Sequence, residues 1–362
     1  MFLKKVLYIG SPSILLYTFS FRKAIVEAGY EVIDPEYLNA PEPGPITRRF
    51  REKEYYKEVY SKQNTMYINA AKFSKPDFVF VINNDGVDST FLEYCKNNKI
   101  PLFLYCMDSI RWCDNALECM RYYDDIYSYE PSDTKVEFRP GHFVKFVPIG
   151  FDKDIYKPND KLTKQKYDIC FVGRLDKRRL AILEKVAEYA NNNDKSMIVY
   201  TSIQLLKIPH FWLIPKLIAR RIRYNIKYKN LMKYIVNEPI IGKDLTDLYN
   251  NSRLCLNIHV GTHEGMHTGP NPRTFELLGC RSFEMIDSGH IGLTNLESGK
   301  DIVEFSDEND MLKKIDYYLN NDSERNKIAE NGFIKASEYY RLDVLVHQIL
   351  FNIEKIVGDF DI

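Results

Sequence analysis

The segment Asn271-Pro-Arg-Thr-Phe-Glu-Leu-Leu-Gly-Cys280 combines a helix-capping amide, a cation and a carboxylate. Asn271 is a favourable N-cap and Pro272 suits a first helical turn, so the segment predicts a short capped helix. Arg273 would lie in that turn beside unpaired backbone N–H groups, and the two together attract phosphate. Glu276 follows one turn later and can accept hydrogen bonds from ribose hydroxyls. The combination suits a nucleoside diphosphate; the alternative is a surface helix with a local ion pair.

A second candidate phosphate site is the sequence Val172-Gly-Arg-Leu-Asp-Lys-Arg-Arg179, which follows a short apolar run. Gly173 would let the backbone approach a ligand. Arg174, with either Lys177 or Arg178, would supply cations where the next helix begins. The alternative is a polar helix start with solvated basic residues.

Four of the seven histidines are His259, His263, His267 and His290. A spacing of four residues could place three of them on one helical face as metal ligands. The intervening sequence is rich in glycine and predicts a loop, so we expect a ligand-lining loop and no metal site. An ordinary surface loop is the remaining alternative.

Three aspartates in the first half are candidates for a general base. Asp85 and Asp88 follow one predicted strand, and Asp108 follows the next. Carboxyl ends of parallel strands are where a base facing a ligand belongs. Asp88 and Asp108 would also serve as helix N-caps, which is the structural alternative. The first strand ends in Gly10-Ser11, a further loop expected at the same edge.

The stretch from Gln204 to Asn237 contains no acidic residue and interleaves basic with aromatic and aliphatic side chains. Its basic residues are Lys207, Lys216, Arg220, Arg221, Arg223, Lys227, Lys229 and Lys233. Residues 204–235 therefore predict an element lying on an anionic membrane surface. The alternative is an amphipathic helix packed on the sheet. The formal net charge is zero, so a nucleic-acid partner is not expected.

The elements that would position these residues alternate between short apolar strands and helices. Strands are predicted at 6–9, 31–33, 77–82, 101–106, 125–129, 143–147, 168–173, 197–200, 239–241, 253–259 and 282–286. Near-continuous apolar strands between helices indicate α/β structure with parallel sheets covered on both faces. We expect two Rossmann-like domains facing across a cleft, with ligands at the carboxyl ends of the strands.

The domain boundaries follow from where this pattern restarts. Residues 1–150 form the expected N-terminal domain for an acceptor, and 165–340 the C-terminal domain for a donor. The polar stretch between them predicts a linker, and Asp244 predicts a helix N-cap. Residues 341–362 predict a C-terminal helix, for which a return to the N-terminal domain is an open alternative.

Bulk composition excludes several classes of protein. Hydrophobic residues make up 45% of the 362 residues and charged residues 28%, which is globular rather than disordered. Seven cysteines without a C-x-x-C pair indicate reduced thiols. The apolar run near Met1 is too short for a signal peptide, and no stretch reaches transmembrane length. We expect a cytoplasmic protein, with peripheral attachment at the inner membrane face as an open alternative.

Two motifs together, Phe171-Val-Gly-Arg174 with Arg178-Arg179 and Leu256-Asn-Ile258 with Asn271–Cys280, resemble the glycosyltransferase group 1 domain. More narrowly, they are similar to the CgeB-like branch named from spore-coat maturation proteins. The resemblance covers about residues 165–350. It implies the GT-B fold and a nucleotide-sugar donor held mainly by the C-terminal domain.

The resemblance also implies roles for individual residues. Glu276 matches the second glutamate of the family's E-x7-E pattern, and Thr268 stands where the first glutamate is usual. Arg174 matches the family's phosphate-binding arginine. The donor-binding residues implied in this way are Gly173, Arg174, Lys177, Arg178, His267, Thr268, Asn271, Arg273, Thr274 and Glu276. Such enzymes neutralise the leaving diphosphate with cations and helix dipoles, so no metal or other cofactor is expected.

The expected function is therefore transfer of a sugar, of hexosyl type, from a nucleotide-diphosphate sugar, with UDP favoured. The acceptor would be a glycan, a lipid-linked molecule or a protein. A nucleotide-sugar epimerase on the same fold and a non-catalytic binding or structural protein remain alternatives. An NAD oxidoreductase is disfavoured because neither Gly10 nor Gly173 begins a G-x-G-x-x-G run.

Overall fold

The computed structural model describes residues 4–11, 14–38, 51–112, 114–162, 164–201, 226–260 and 268–360. The chain divides into two compact units. The first contains Met1–Ile149 together with Leu342–Ile362, and the second contains Gly150–Arg341. His263, His267 and most of the basic segment 204–235 lie outside the described residues, so the expectations for them are not examined structurally.

The first unit contains one six-stranded parallel sheet in the order β2-β1-β3-β4-β5-β8. Its strands are β1 (Lys5–Ile9), β2 (Glu31–Ile33), β3 (Phe78–Ile82), β4 (Leu102–Cys106), β5 (Asp125–Ser128) and β8 (Lys145–Phe146). Two further strands, β6 (Glu137–Arg139) and β7 (His142–Phe143), form a separate antiparallel pair. Its helices are α1 (Leu15–Glu27), α2 (Glu52–Ser74), α3 (Ser89–Asn97), α4 (Asp114–Cys119) and the C-terminal helix (Leu342–Phe360).

Both faces of this sheet are buried at its centre, where β3 and β4 are apolar at every position. Alternate side chains point to opposite faces, so Tyr8 and Phe80 belong to one hydrophobic cluster and Leu7 and Val81 to the other. The C-terminal helix completes the first cluster with residues such as Ile349. The chain therefore returns to its first unit after finishing the second.

The second unit repeats this design with a six-stranded parallel sheet in the order β11-β10-β9-β12-β13-β14. Its strands are β9 (Tyr167–Val172), β10 (Met197–Tyr200), β11 (Ile235–Val236), β12 (Ser252–Asn257), β13 (Glu284–Asp287) and β14 (Val303–Phe305). Its helices are α5 (Lys177–Asn192), α6 (Gly242–Asn250), α7 (Pro272–Gly279), α8 (Glu308–Asn320) and α9 (Asp322–Tyr339). The predicted α/β class with two parallel sheets is confirmed.

Several local predictions were wrong. The strand expected at Pro239–Ile241 is absent, and the chain pairs with β10 earlier, through β11. Asp244 is not the N-cap of α6, because the helix begins at Gly242 after Ile241 and places Asp244 in its first turn. The edge strand β14 was not predicted, because three residues give too little alternation to be recognised.

The expected linker is part of the second unit rather than a connection between domains. Phe151 and Tyr156 are buried in its hydrophobic cluster, and the Phe151 ring lies against Gly279 of α7. Two large aromatic side chains in the core fix this stretch, which a count of polar residues does not reveal. None of the helices among the described residues has the length and apolar composition needed to cross a bilayer.

Candidate functional site

The N-terminus of α7 forms the centre of the candidate site in the second unit. Asn271 is its N-cap, as predicted, and its side-chain oxygen accepts a hydrogen bond from the Arg273 N–H at 3.0 Å. The Asn271 amide also donates to the side-chain oxygen of Asn257 at 2.8 Å. Since Asn257 is the last residue of β12, this bond holds the helix start at the carboxyl end of the sheet.

Two arginine side chains flank the backbone of Gly173, directly after β9. A Cβ atom placed on Gly173 would lie 3.4 Å from Nη2 of Arg273 and 3.5 Å from Nη1 of Arg179. The strand end and the α7 start, predicted separately to bind phosphate, are thus adjacent. A Cβ atom at residue 173 would therefore be in van der Waals contact with both guanidinium groups.

Arg179 is only 4% exposed and donates to backbone carbonyls rather than to a carboxylate. Its Nε donates to the Ile258 oxygen at 2.8 Å and its Nη1 to the Arg174 oxygen at 2.7 Å. Burial and then the charge of Arg273 lower the pKa of Arg179 to about 10. Within the described residues, neither Arg179 nor Arg273 forms an ion pair at salt-bridge distance, so both guanidinium groups keep hydrogen-bonding capacity for an anion.

The three cations expected from the sequence after β9, unlike Arg179, are either exposed or paired with a carboxylate. Arg174 and Lys177 are exposed. Arg178 forms an ion pair with Asp287 at 2.9 Å and donates to the His259 backbone oxygen, also at 2.9 Å. Arg179 was therefore missed as a site residue. Its position on the apolar face of α5, four residues before Leu183, was the signal that could have identified it.

Glu276 is 8% exposed and contacts two tyrosines. Tyr156 donates its hydroxyl to Oε1 at 3.1 Å, and Tyr249 donates to Oε2 at 3.4 Å. Burial, reinforced by the charge of Glu276, raises the pKa of both tyrosines well above the usual value, so they remain donors. The carboxylate is held in a fixed orientation, and its role toward ribose stays a prediction.

Two further donor-site expectations concern small polar residues. Thr274 is buried and donates its hydroxyl to Oε1 of Glu284 at 2.9 Å, so it stabilises the helix start from beneath. Thr268 is half-buried just before α7. The assignment of either residue to the donor stays a prediction. Glu284 itself was not recognised as a site residue from the sequence.

His259, Asp287 and His290 are close enough to suggest metal ligands, with candidate ligand atoms within 4.8 Å of one another. Their geometry favours hydrogen bonding instead. The two imidazole rings stack face to face, 3.5 Å apart and 10° from parallel. A metal ion lies close to the plane of each ring that binds it, so two such rings cannot both direct a nitrogen lone pair at one ion.

Asp287 instead orients His259. The His259 backbone N–H and ring Nδ1 lie 3.0 and 2.8 Å from Oδ1 of Asp287, and ring Nε2 lies 3.3 Å from the Asn271 amide. Burial lowers the pKa of His259 to about 4, so the ring is neutral near pH 7. A proton on Nδ1 satisfies both contacts, and the cluster supports the α7 N-cap.

The first unit brings Ser11 and Asp85 together at the carboxyl ends of β1 and β3. The Ser11 hydroxyl donates to Oδ2 of Asp85. Beside them, the Gly10 N–H donates to the Tyr37 hydroxyl at 2.9 Å. The loop that carries Asp85 begins with Asn83 and Asn84, both at a φ of 60°, a left-handed conformation that is uncommon outside glycine and concentrates at functional sites.

The other two aspartates are in different environments. Asp88 is the N-cap of α3 and accepts a hydrogen bond from the Thr90 N–H at 2.9 Å, as its structural alternative predicted. Asp108 is exposed and does not cap a helix, since the next one begins at Asp114. The sequence did not single out Asp133, a fully buried carboxylate that accepts hydrogen bonds from the hydroxyls of Ser109 and Ser128.

The chain is similar in sequence to known proteins. Residues 212–350 match a family model described as glycosyl transferase-like. The chain is 20% identical to the spore protein CgeB of Bacillus subtilis (strain 168) over 353 residues, which cover 94% of this chain and 96% of the relative.

Solved structures share its fold. Sucrose-phosphate synthase from Thermosynechococcus elongatus superposes with a TM-score of 0.67 and 12% identity, covering 98% of this chain and all of that one. Anabaena HepE in complex with UDP and glucose gives 0.64 and 11% identity, also over 98% and 100%. A putative UDP-N-acetylglucosamine 2-epimerase from Listeria monocytogenes gives 0.61 and 12%, over 99% and 98%.

The two parallel sheets and these neighbours show that the chain has the GT-B fold. Among proteins of that fold, it is similar to the CgeB-like glycosyltransferases, in agreement with the resemblance of its motifs.

Proposed function

We propose that the protein is a glycosyltransferase that uses a nucleotide-diphosphate sugar, with UDP as the favoured nucleotide. The observation that carries this proposal is the pair Arg179 and Arg273 around Gly173, at the N-terminus of α7. Two guanidinium groups without a carboxylate hydrogen-bond partner within the described residues, beside the positive end of the α7 dipole, are suited to a diphosphate. The UDP bound in the Anabaena HepE complex supports the choice of nucleotide.

The same residues account for the chemistry of the leaving group. When the bond between the anomeric carbon and the diphosphate oxygen breaks, negative charge develops on that oxygen. Arg273, Arg179 and the helix N-terminus lie where this charge would be stabilised, and they are already oriented before the reaction. We therefore propose a transfer that does not depend on a metal ion.

For the acceptor side, we propose Asp85 as the general base, ahead of Asp88 and Asp108. Asp88 is engaged as a helix cap, and Asp108 lies exposed. Asp85 has a hydroxyl donor, Ser11, and a loop in a strained conformation behind it. In a direct displacement, the acceptor oxygen bonds to the anomeric carbon as the bond from that carbon to the diphosphate oxygen breaks. The nucleoside diphosphate leaves, and the acceptor proton passes to the general base, the role proposed for Asp85. The acceptor hydroxyl belongs to a glycan, a lipid-linked molecule or a protein.

A screen of nucleotide-sugar hydrolysis tests the proposed function, because water can replace the acceptor slowly. UDP-, GDP- and dTDP-sugars are incubated with the wild type, Arg273→Ala and Asp85→Asn. We expect release of one nucleoside diphosphate by the wild type and at least tenfold less by Arg273→Ala. Formation of an isomeric nucleotide sugar without an acceptor would instead select the epimerase, which the Listeria neighbour represents. No turnover or binding of any nucleotide would refute both enzymes.

A cytoplasmic location with peripheral attachment through residues 204–235 remains part of the proposal. Sedimentation with vesicles of phosphatidylcholine alone, and of phosphatidylcholine with phosphatidylserine, tests it. Binding that depends on the anionic lipid and falls with added salt is expected. Equal sedimentation with both vesicles would remove the membrane element from the account.

A further inference from the structure

Glu284 is a buried carboxylate that contacts Thr274 at the start of α7, beside the candidate diphosphate site. It lies on β13 and is 1% exposed. Its Oε1 accepts hydrogen bonds from the Asn257 amide at 2.7 Å and from the Thr274 hydroxyl at 2.9 Å. Its other oxygen, Oε2, is buried and has no hydrogen-bond partner among the described residues. An ionised carboxylate in this position leaves one of its two oxygens without a hydrogen-bond donor, which is unfavourable in a buried site.

The partners of Glu284 connect it to Arg273. Asn257, which donates to Glu284, accepts a hydrogen bond from Nη1 of Arg273 at 3.4 Å through its own side-chain oxygen. It also exchanges hydrogen bonds with Asn271, the N-cap of α7. The Nε of Arg273 is also buried and has no hydrogen-bond partner among the described residues. The network therefore contains a carboxylate oxygen and a guanidinium N–H that are both unused.

The surroundings of Glu284 allow both of its protonation states near neutral pH. Burial raises the pKa of Glu284 to about 7, against the lowering effects of Asn257, Thr274 and Arg273. The titratable groups that face it are Arg273 from α7, Asp287 from β13 and the Cys255 thiol from β12. Arg273 favours its ionised form and Asp287 opposes it.

We propose that Glu284 is a positioning residue that makes diphosphate binding depend on pH. When Glu284 is protonated, the charge of Arg273 is available to the ligand. When it is ionised, its charge competes with the diphosphate for Arg273. Binding of the anion then draws one proton from solvent onto Glu284. This inference rests on the proposed function, since it assumes that Arg273 contacts the diphosphate.

Calorimetric titration with UDP between pH 5.5 and 8.5, in two buffers of different ionisation enthalpy, tests the inference. We expect wild-type affinity to fall by up to about tenfold per pH unit above pH 7, with uptake of about half a proton per UDP at pH 7. Glu284→Gln keeps the hydrogen-bonding shape without the charge, so it should lose the Glu284 contribution to both effects. The terminal phosphate of UDP also titrates, near pH 6, but contributes equally to both proteins.

Two further variants separate this role from a purely structural one. Glu338→Gln, on the exposed face of α9, is the matched control and should behave as the wild type. Thr274→Val removes a donor that stabilises the ionised carboxylate, so the fall in affinity should begin at higher pH. An unchanged pH profile in both Glu284→Gln and Thr274→Val would overturn the inference while leaving the proposed function intact. Failure of the folded wild type to bind UDP, GDP or dTDP at every pH would overturn both.

Discussion

The stability of the Glu284→Gln variant should differ from that of the wild type in a way that depends on pH. Glutamine preserves the volume and one oxygen acceptor for Asn257 and Thr274, but it cannot ionise. Burial raises the pKa of Glu284 to about 7 from the usual 4.5. The wild type therefore holds a proton in its folded state that its unfolded state loses as the pH rises.

The size and sign of the effect follow from this difference. A pKa shift corresponds to about 1.4 kcal/mol per unit, so a shift of about 2.5 units corresponds to about 3 kcal/mol. Because the folded pKa is raised, this contribution to stability is fully present below pH 4.5, decreases between pH 4.5 and 7, and is lost above. Glu284→Gln lacks this dependence. Its stability relative to the wild type should rise by about 2–3 kcal/mol between pH 4.5 and 8.

Urea unfolding followed by circular dichroism at pH 4.5, 6 and 8 measures this quantity. Only the difference between variant and wild type is used at each pH, so other titrating groups cancel. A difference that stays constant across the range would refute the reasoning, because it would mean that Glu284 has an ordinary pKa in the folded protein. Glu338→Gln should show no such trend.

Two other predictions concern local stability, one for packing and one for a helix cap. Gly279→Ala places a Cβ 2.7 Å from Cε2 of the Phe151 ring, so it should destabilise the protein by about 1–3 kcal/mol and lower the melting temperature. Gly358→Ala, whose Cβ would meet no atom within 4 Å among the described residues, should not. Asp88→Ala removes the N-cap of α3 and should lower the free energy of unfolding by about 1 kcal/mol, measured by urea unfolding. Donor hydrolysis per folded molecule should stay at the wild-type level. A loss of hydrolysis would make Asp88 a candidate for the general base again.

The sequence was sufficient for the backbone of the candidate site. Capping preferences identified Asn271 and Pro272 at the start of a helix, and short apolar runs identified the strands before Gly173 and Asp85. Because the strands of each sheet are parallel, their carboxyl ends share one edge, and the adjacency of Gly173 and Arg273 followed from that rule. These features depend on local chemistry and on topology, which a single sequence carries.

Residues whose role depends on tertiary burial were not predictable in the same way. Arg179 looks like one more charge in a basic helix start, and its position on the apolar face of α5 is a weak signal until the packing of that helix shows that it is buried. Tyr156 belongs to a stretch that reads as a polar linker, yet its hydroxyl orients Glu276. Glu284 lies in a largely apolar sequence, and its residue type alone does not indicate that Asn257 and Thr274 are its hydrogen-bond partners. In each case a distant part of the chain supplies the environment.

The central claim of this account is that Arg273 and Arg179 form a diphosphate site. Calorimetric titration of UDP and of uridine into the wild type and Arg273→Gln tests it most directly. Loss of charge-assisted hydrogen bonds, worth about 1.5–3 kcal/mol, should weaken UDP binding by about 10- to 150-fold and leave any affinity for uridine unchanged. Equal affinity of both proteins for UDP, or an equal loss for uridine, would contradict the claim.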